Sequence, residues 1–200
     1  SGVLCALEPG ALFRVKDAAT LMIIVSDNIA TNMLIDYLGM DTINHCIQKL
    51  GCKDTALHGT LHFDGSSKLG TTTPRDYASM FVRMAQGKLI SPTSDEQMIE
   101  ILKKQHYNSM ITKDFPPVYM DIDNTDEVLI HVASKSGSMD ACRNDGGIIY
   151  TPYGKYVLVM LNKNFSDAMY YPNHPATVFG AKVSRMLLDQ FLALEGRFHL

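Results

Sequence analysis

The segment MIIVSDNIATNMLIDYLG, residues 22–39, joins two apolar runs, 21–25 and 33–38, through Ser26, Asp27 and Asn28. Serine, aspartate and asparagine compete with the backbone for its hydrogen bonds, so they favour caps and turns over helix interiors. The segment therefore predicts two helices meeting at a polar junction, with one of the three residues capping the second helix. Why a hydroxyl, a carboxylate and an amide stand side by side there is decided by the rest of the chain.

Two hundred residues suffice for one sizeable core or two small lobes. An apolar content of 46% with 20% charged residues is that of an ordinary globular protein. The net charge of −3, without a run of Lys or Arg, leaves no electrostatic footprint for nucleic acid. No apolar stretch is long enough for a membrane span, and no signal-like N-terminus is visible. Cys5, Cys46, Cys52 and Cys142 form no C-x-x-C and no disulfide scaffold, which leaves the redox compartment open. Cys46 shares a helical stripe with Ile43, Ile47 and Leu50 and is expected to be a buried thiol.

The first two thirds reads as helical. Residues 40–50 carry that stripe at i, i+3, i+4 and i+7, and Gly51 supplies a stop. Thr73-Pro74-Arg75-Asp76 combines a capping threonine, proline at the first helical position and an acid at the third. The helix it opens carries Tyr77, Met80, Phe81 and Met84 on one face and stops at Gly87. A further helix is expected from Ser94 through DEQMIEILKKQ. Residues 54–72 contain Gly59, Gly65 and Gly70 with little periodicity, and predict a long loop.

Near Glu127 the character changes. EVLIHVAS, GGIIYT and YVLVML are short, β-branched and separated by turn residues, as expected of three antiparallel strands. From Pro175 a helix returns, with Phe179, Val183, Met186, Leu187 and Leu194 on its expected inner side. The prediction is an α+β fold: a helical lobe over about 1–125, then a small antiparallel sheet backed by a C-terminal helix over about 126–200.

A second polar constellation, ASKSGSMDACRNDGG (133–147), places Lys135-Ser136-Gly137 at the end of the first predicted strand. S-D-N in a helical lobe followed by K-[ST]-G on a strand resembles two of the three signatures of class A β-lactamases and the related penicillin-binding proteins. LMIIVSDNIATNMLIDYLG, TTTPRDYASM and RNDGGIIYTPYGKYVLVML extend the resemblance, which covers essentially the whole chain as a single catalytic domain. It implies a β-lactamase-like serine hydrolase acting through an acyl-enzyme, on a β-lactam or an acyl-D-Ala-D-Ala-like small substrate. No cofactor is implied, and the location implied is secreted or cell envelope.

Acyl transfer at a lactam carbonyl needs a nucleophile, a proton path to the departing nitrogen, an oxyanion site and an anchor for the substrate carboxylate. Ser26 suits the proton path, because a hydroxyl both donates and accepts. Asn28 suits the substrate's side-chain amide. Lys135 supplies positive potential near Ser26 and the substrate carboxylate, Ser136 can hydrogen-bond that carboxylate, and Gly137 permits close backbone approach. The resemblance makes the N–H of Ser138 half of an oxyanion hole. Arg143 is a candidate second cationic anchor. Asp27, between two working residues, is expected to hold the turn together.

The resemblance breaks at two points. No Ser is followed by Lys three positions later, so the S-x-x-K nucleophile signature is absent from these residues. The chain is therefore expected to be the C-terminal part of a longer protein. The missing part would hold the nucleophile helix and two strands, and the chain alone is expected to be inactive. That N-terminal segment, or a second copy of the molecule, is expected to cover the sheet edge left open along YVLVML. The stretch where the family carries a deacylating glutamate, DTALHGTLHFDGSSKLG, has none; Asp64, His62 and His58 are its titratable substitutes. Persistence of the acyl-enzyme would favour a penicillin-binding D,D-peptidase or esterase on the same fold. A non-catalytic binding protein is the alternative from another class. A metal site from His58, His62 and Asp64 is disfavoured by Gly59 and by the lack of a third His or a Glu.

Overall fold

The computed structural model describes residues 2–62, 69–120, 128–139, 141–167 and 169–197, in two units dividing after His106. In the first, a 3₁₀ turn at Leu4–Ala6 precedes α1 (Val15–Ile24), α2 (Asn28–Leu38) and α3 (Met40–Lys49). Then come β1 (Ala56–Leu57), β2 (Gly70–Thr71), α4 (Pro74–Ala85) and α5 (Pro92–Leu102). Helix α1 packs on α2 and α5, and Leu4, Ala18, Ala30 and Leu34 form a small core.

The Thr-Pro motif works as expected: Thr73 Oγ1 accepts from the Asp76 N–H at 3.2 Å, with Pro74 in the first turn. The same device, unread in the sequence, opens α5 two residues earlier than expected. Ser91 Oγ accepts from the Ser94 N–H at 3.2 Å with Pro92 in the first turn, and the helix ends at Leu102. The expected long loop is in part a ladder, since Ala56 pairs with Thr71 and Leu57 with Gly70 in antiparallel register. Its Gly65, with the rest of 63–68, lies outside the described residues.

Cys46 is exposed, against expectation. Among the described elements, helix α3 packs chiefly on α2 and β1, and it buries no residue fully. Its contact face is centred on Ile43, Asn44 and Ile47, so Cys46 falls at the rim. Asn44 sets that orientation by holding Leu57 on both sides, its Nδ2 donating to Leu57 O (2.9 Å) and its Oδ1 accepting from Leu57 N (2.7 Å).

The second unit holds the short α6 (Pro117–Met120), β3 (His131–Met139), β4 (Cys142–Thr151), β5 (Gly154–Lys163) and α7 (Pro175–Ala193). The strands form one antiparallel sheet in the order β3-β4-β5. Val132 pairs with Ile149, and Ile149 with Tyr156, placing the three in one row on one face. That row packs with Ile111, Phe115, Ile130 and Leu188.

The inner face of α7 is not the expected one. Phe179, Met186 and Leu187 are exposed, whereas Gly180, Ala181, Ser184, Leu188 and Phe191 are buried. Hydrophobicity alone points to the wrong face, because the first half of the buried stripe, Gly180, Ala181 and Ser184, is made of small residues that admit close approach. A Cβ on Gly180 would lie 2.5 Å from Met110 Sδ, so any side chain there would force Met110 to move.

Candidate functional site

The Ser-Asp-Asn junction is built by two helix ends sharing three residues. Leu21 O, in the last turns of α1, accepts from both Val25 N (3.3 Å) and Asp27 N (3.2 Å). Between them Ser26 takes φ +50°, the left-handed conformation that ends many helices but that side chains other than glycine and asparagine resist. The orphan carbonyls of Ile23 and Ile24 are taken by Gln105 Nε2 (2.9 Å) and His106 N (3.0 Å).

Asp27 caps α2 and is fully buried. Its Oδ1 accepts from Ala30 N and its Oδ2 from Leu4 N, each at 2.9 Å. The carboxylate is therefore structural, as its place between the other two suggested, and Ser26 and Asn28 flank it half-buried.

Ser26→Gly and Ser26→Ala both delete the hydroxyl, yet only glycine accepts the left-handed backbone freely. The glycine variant is expected to be the more stable by about 1 kcal/mol. Urea unfolding of both checks this; equal midpoints would mean the backbone there relaxes.

Asn32 lies one turn beyond Asn28 on α2. Its Oδ1 accepts from Leu61 N (2.8 Å) and its Nδ2 donates to Leu61 O (3.0 Å), pinning the stretch that carries His58 and His62. Within it His58 Nε2 meets Thr71 Oγ1 at 3.0 Å and His62 Nε2 meets Thr60 Oγ1 at 2.8 Å, both exposed. Asp64 lies outside the described residues. Among those residues, no group of three or more His, Cys, Asp and Glu could hold a metal ion.

In the second unit Lys135, Ser136, Gly137 and Ser138 lie well within β3, because the strand continues to Met139 instead of ending at the glycine. Lys135 pairs with Gly146, Ser136 with Asp145, Gly137 with Asn144 and Ser138 with Arg143. The hairpin closes at Met139–Cys142, so antiparallel alternation turns the backbone groups of Ser136 and Ser138 away from β4, toward the side of β3 that is open among the described residues. The Ser136 carbonyl accepts from Lys135 Nζ.

Lys135 is half-buried. Desolvation lowers its pKa, and the nearby Asp145 carboxylate opposes the shift.

Sequence reasoning missed Asp145. It is buried on the face shared with Ser136, with Oδ2 accepting from Ile111 N and Oδ1 from Gly146 N, both at 3.0 Å. Burial pushes its carboxyl up to about 6, against the pull of those N–H groups and of Lys135. A carboxylate in phase with Ile149 on an otherwise buried strand face was the available signal.

Arg143 is also buried, although a turn arginine is ordinarily exposed. Its Nη1 donates to Met139 O and to Cys142 O (2.8 Å), and its Nη2 to Met169 O (2.9 Å). The guanidinium lies 5.4 Å from the Phe165 ring centroid and 5.2 Å from that of Tyr170.

A family model described as the beta-lactamase enzyme family matches residues 1–191. No curated protein matches the chain. Among solved structures, the chain is similar to the β-lactamase from Sphaerobacter thermophilus DSM 20745, at 29% identity and a TM-score of 0.81 over 96% of this chain and 68% of that one. It is similar to PBP-A at 28% identity and a TM-score of 0.77, over 96% and 67%. A mutant of PBP-A seen as an acyl-enzyme complex with penicillin G matches at 28% identity and a TM-score of 0.76, again over 96% and 67%. The chain thus spans about two thirds of the length of each of these structures.

Proposed function

The chain belongs to the β-lactamase enzyme family, and from that membership we propose that residues 1–200 supply most of one serine-hydrolase catalytic domain of the class A type, acting on β-lactam amides through an acyl-enzyme. The observation that carries the proposal is the outward backbone edge of β3 at Ser136 and Ser138, beside a half-buried lysine. An extended substrate can pair with such an edge, and a desolvated cation holds its carboxylate more strongly than an exposed one.

In this reading Ser26 relays the proton to the departing nitrogen and Asn28 holds the substrate's side-chain amide. Lys135 and Ser136 take the carboxylate, Gly137 admits the substrate closely, and the Ser138 N–H donates to the oxyanion. Localisation in the cell envelope or outside it belongs to the same reading; among the described residues no helix is long and apolar enough to cross a membrane. The strand β5 ends the described sheet, and its outer edge is the place for a preceding segment or a second copy.

The nucleophilic Ser-x-x-Lys does not occur in these 200 residues. Intact mass after penicillin treatment is therefore expected to show no adduct on this chain alone, and one acyl adduct on the longest natural protein containing it. A stable adduct on the chain alone would overturn the assignment. A penicillin-binding peptidase or esterase is the second reading, favoured by the lack of Glu in residues 54–70. Turnover of a chromogenic cephalosporin supports the hydrolase, and a persistent adduct supports the peptidase.

A further inference from the structure

The sequence makes Arg143 a candidate substrate anchor, but its surroundings point elsewhere. Arg143 is 3% exposed, and three hydrogen bonds tie its Nη1 and Nη2 to backbone carbonyls of two separate segments. Met139 and Cys142 are the residues that close the β3–β4 hairpin. Met169 belongs to the stretch leading into α7, which is itself folded around Asp167. There Oδ1 accepts from Met169 N (3.0 Å), Oδ2 from the Tyr171 hydroxyl (2.8 Å), and Asp167 O meets His174 Nε2 at 3.0 Å. His174 in turn caps α7 by accepting from Ala176 N at 3.1 Å. A guanidinium suits such a crossing, because its planar fork serves several acceptors and its plane also packs on aromatic rings. Buried and tied in this way, the guanidinium turns to a substrate carboxylate only by releasing the hairpin.

We propose that Arg143 is a positioning residue: by tying the closed end of the β3–β4 hairpin to the segment before α7, it fixes the Ser138 N–H on the open side of β3. The proposal rests on the functional reading above, in which that N–H stabilises the oxyanion. Ser138 is the direct cross-strand partner of Arg143 and the residue just before the clamped Met139, so movement of the hairpin end displaces it first.

The test compares two acyl donors on the longest natural protein containing the chain: benzylpenicillin, and its methyl ester, which lacks the carboxylate. Arg143→Ala is expected to slow acylation by at least tenfold and by the same factor with both donors, with dissociation constants within threefold of the parent. Arg143→Lys keeps the charge but cannot reach three carbonyls, and is expected to recover little. Amide exchange of Met139 should quicken by tenfold or more in either variant while that of Ile149 stays unchanged. A loss confined to benzylpenicillin and rescued by lysine would make Arg143 an anchor and overturn the proposal. An unchanged Met139 exchange rate would overturn it too. If Arg143→Ala does not fold, Arg143→Lys carries both readouts. If the parent is not acylated by either donor, the functional reading fails, while the exchange measurement still decides whether Arg143 clamps the hairpin.

Discussion

Replacing Lys135 with alanine in the longest natural protein containing this chain is expected to slow acylation by a β-lactam by about 10²–10³-fold, about 3–4 kcal/mol of transition-state stabilisation. The fold should survive, because the side chain is only half-buried and its removal leaves the β3–β4 backbone pairing in place. The pH profile gives a second signature. Desolvation lowers the lysine's pKa, although Asp145 pulls it back up. If Lys135 acts as a cation, acylation in the parent falls on the alkaline side, beginning at a lower pH than an ordinary lysine would give. In Lys135→Ala that limb should be missing. Acylation within twofold of the parent, or an unaltered alkaline limb, would remove Lys135 from the mechanism.

Asp27→Ala is expected to be the most destabilising single change at the junction, costing about 2–4 kcal/mol. It deletes the α2 cap, typically worth ~1 kcal/mol, and strands the buried Leu4 N–H, which costs a further ~1–3 kcal/mol. Asp27→Asn should recover part of the loss, since an amide oxygen can accept at only one of the two sites. Gly2→Ala is expected to act through the same residue, because its Cβ would lie 2.3 Å from Asp27 Oδ2 on a backbone at φ +134°.

The pH dependence has a definite sign. Burial alone would raise the Asp27 carboxyl, but the N–H groups of Ala30, Leu4, Val3 and Ile29 outweigh it and hold it below its ordinary value. A carboxyl depressed on folding stabilises above its unfolded pKa of about 4, and that contribution is lost as the pH falls through the lower folded value. The gap between parent and Asp27→Ala in urea midpoints should therefore narrow from pH 7 toward pH 3. A constant gap would show that the carboxylate's charge contributes nothing.

Much of this was legible because periodicity, caps and turn residues act locally. The Ser-Asp-Asn junction, the Thr73-Pro74 helix start and the three strands follow from residues within a few positions of one another. Failures came where the deciding partner is remote or small. Cys46 was misplaced because the orientation of α3 depends on Asn44 holding Leu57. The inner face of α7 was missed because Gly180, Ala181 and Ser184 bury less apolar area than the leucine and phenylalanine opposite, yet allow tighter approach. Arg143 and Asp145 were hardest to read, because a charged residue on a strand declares neither its burial nor the carbonyls and N–H groups it will meet.

The peptide group of Ile111 shows what such remote partners mean for a chain made from one end. Its N–H waits for Asp145, 34 residues on, and its carbonyl for Ser184, 73 residues on, at 3.0 and 2.8 Å in the finished fold. On a ribosome adding residues in order, the β3–β4 hairpin can close first, but Ile111 stays half-satisfied until α7 emerges. The second unit must therefore consolidate late, with its last long helix as the element that completes it. Until then its strand edges and the apolar row of Val132, Ile149 and Tyr156 stand open to any neighbouring chain. Emergence of α7, and not synthesis of the strands, sets how long that exposure lasts.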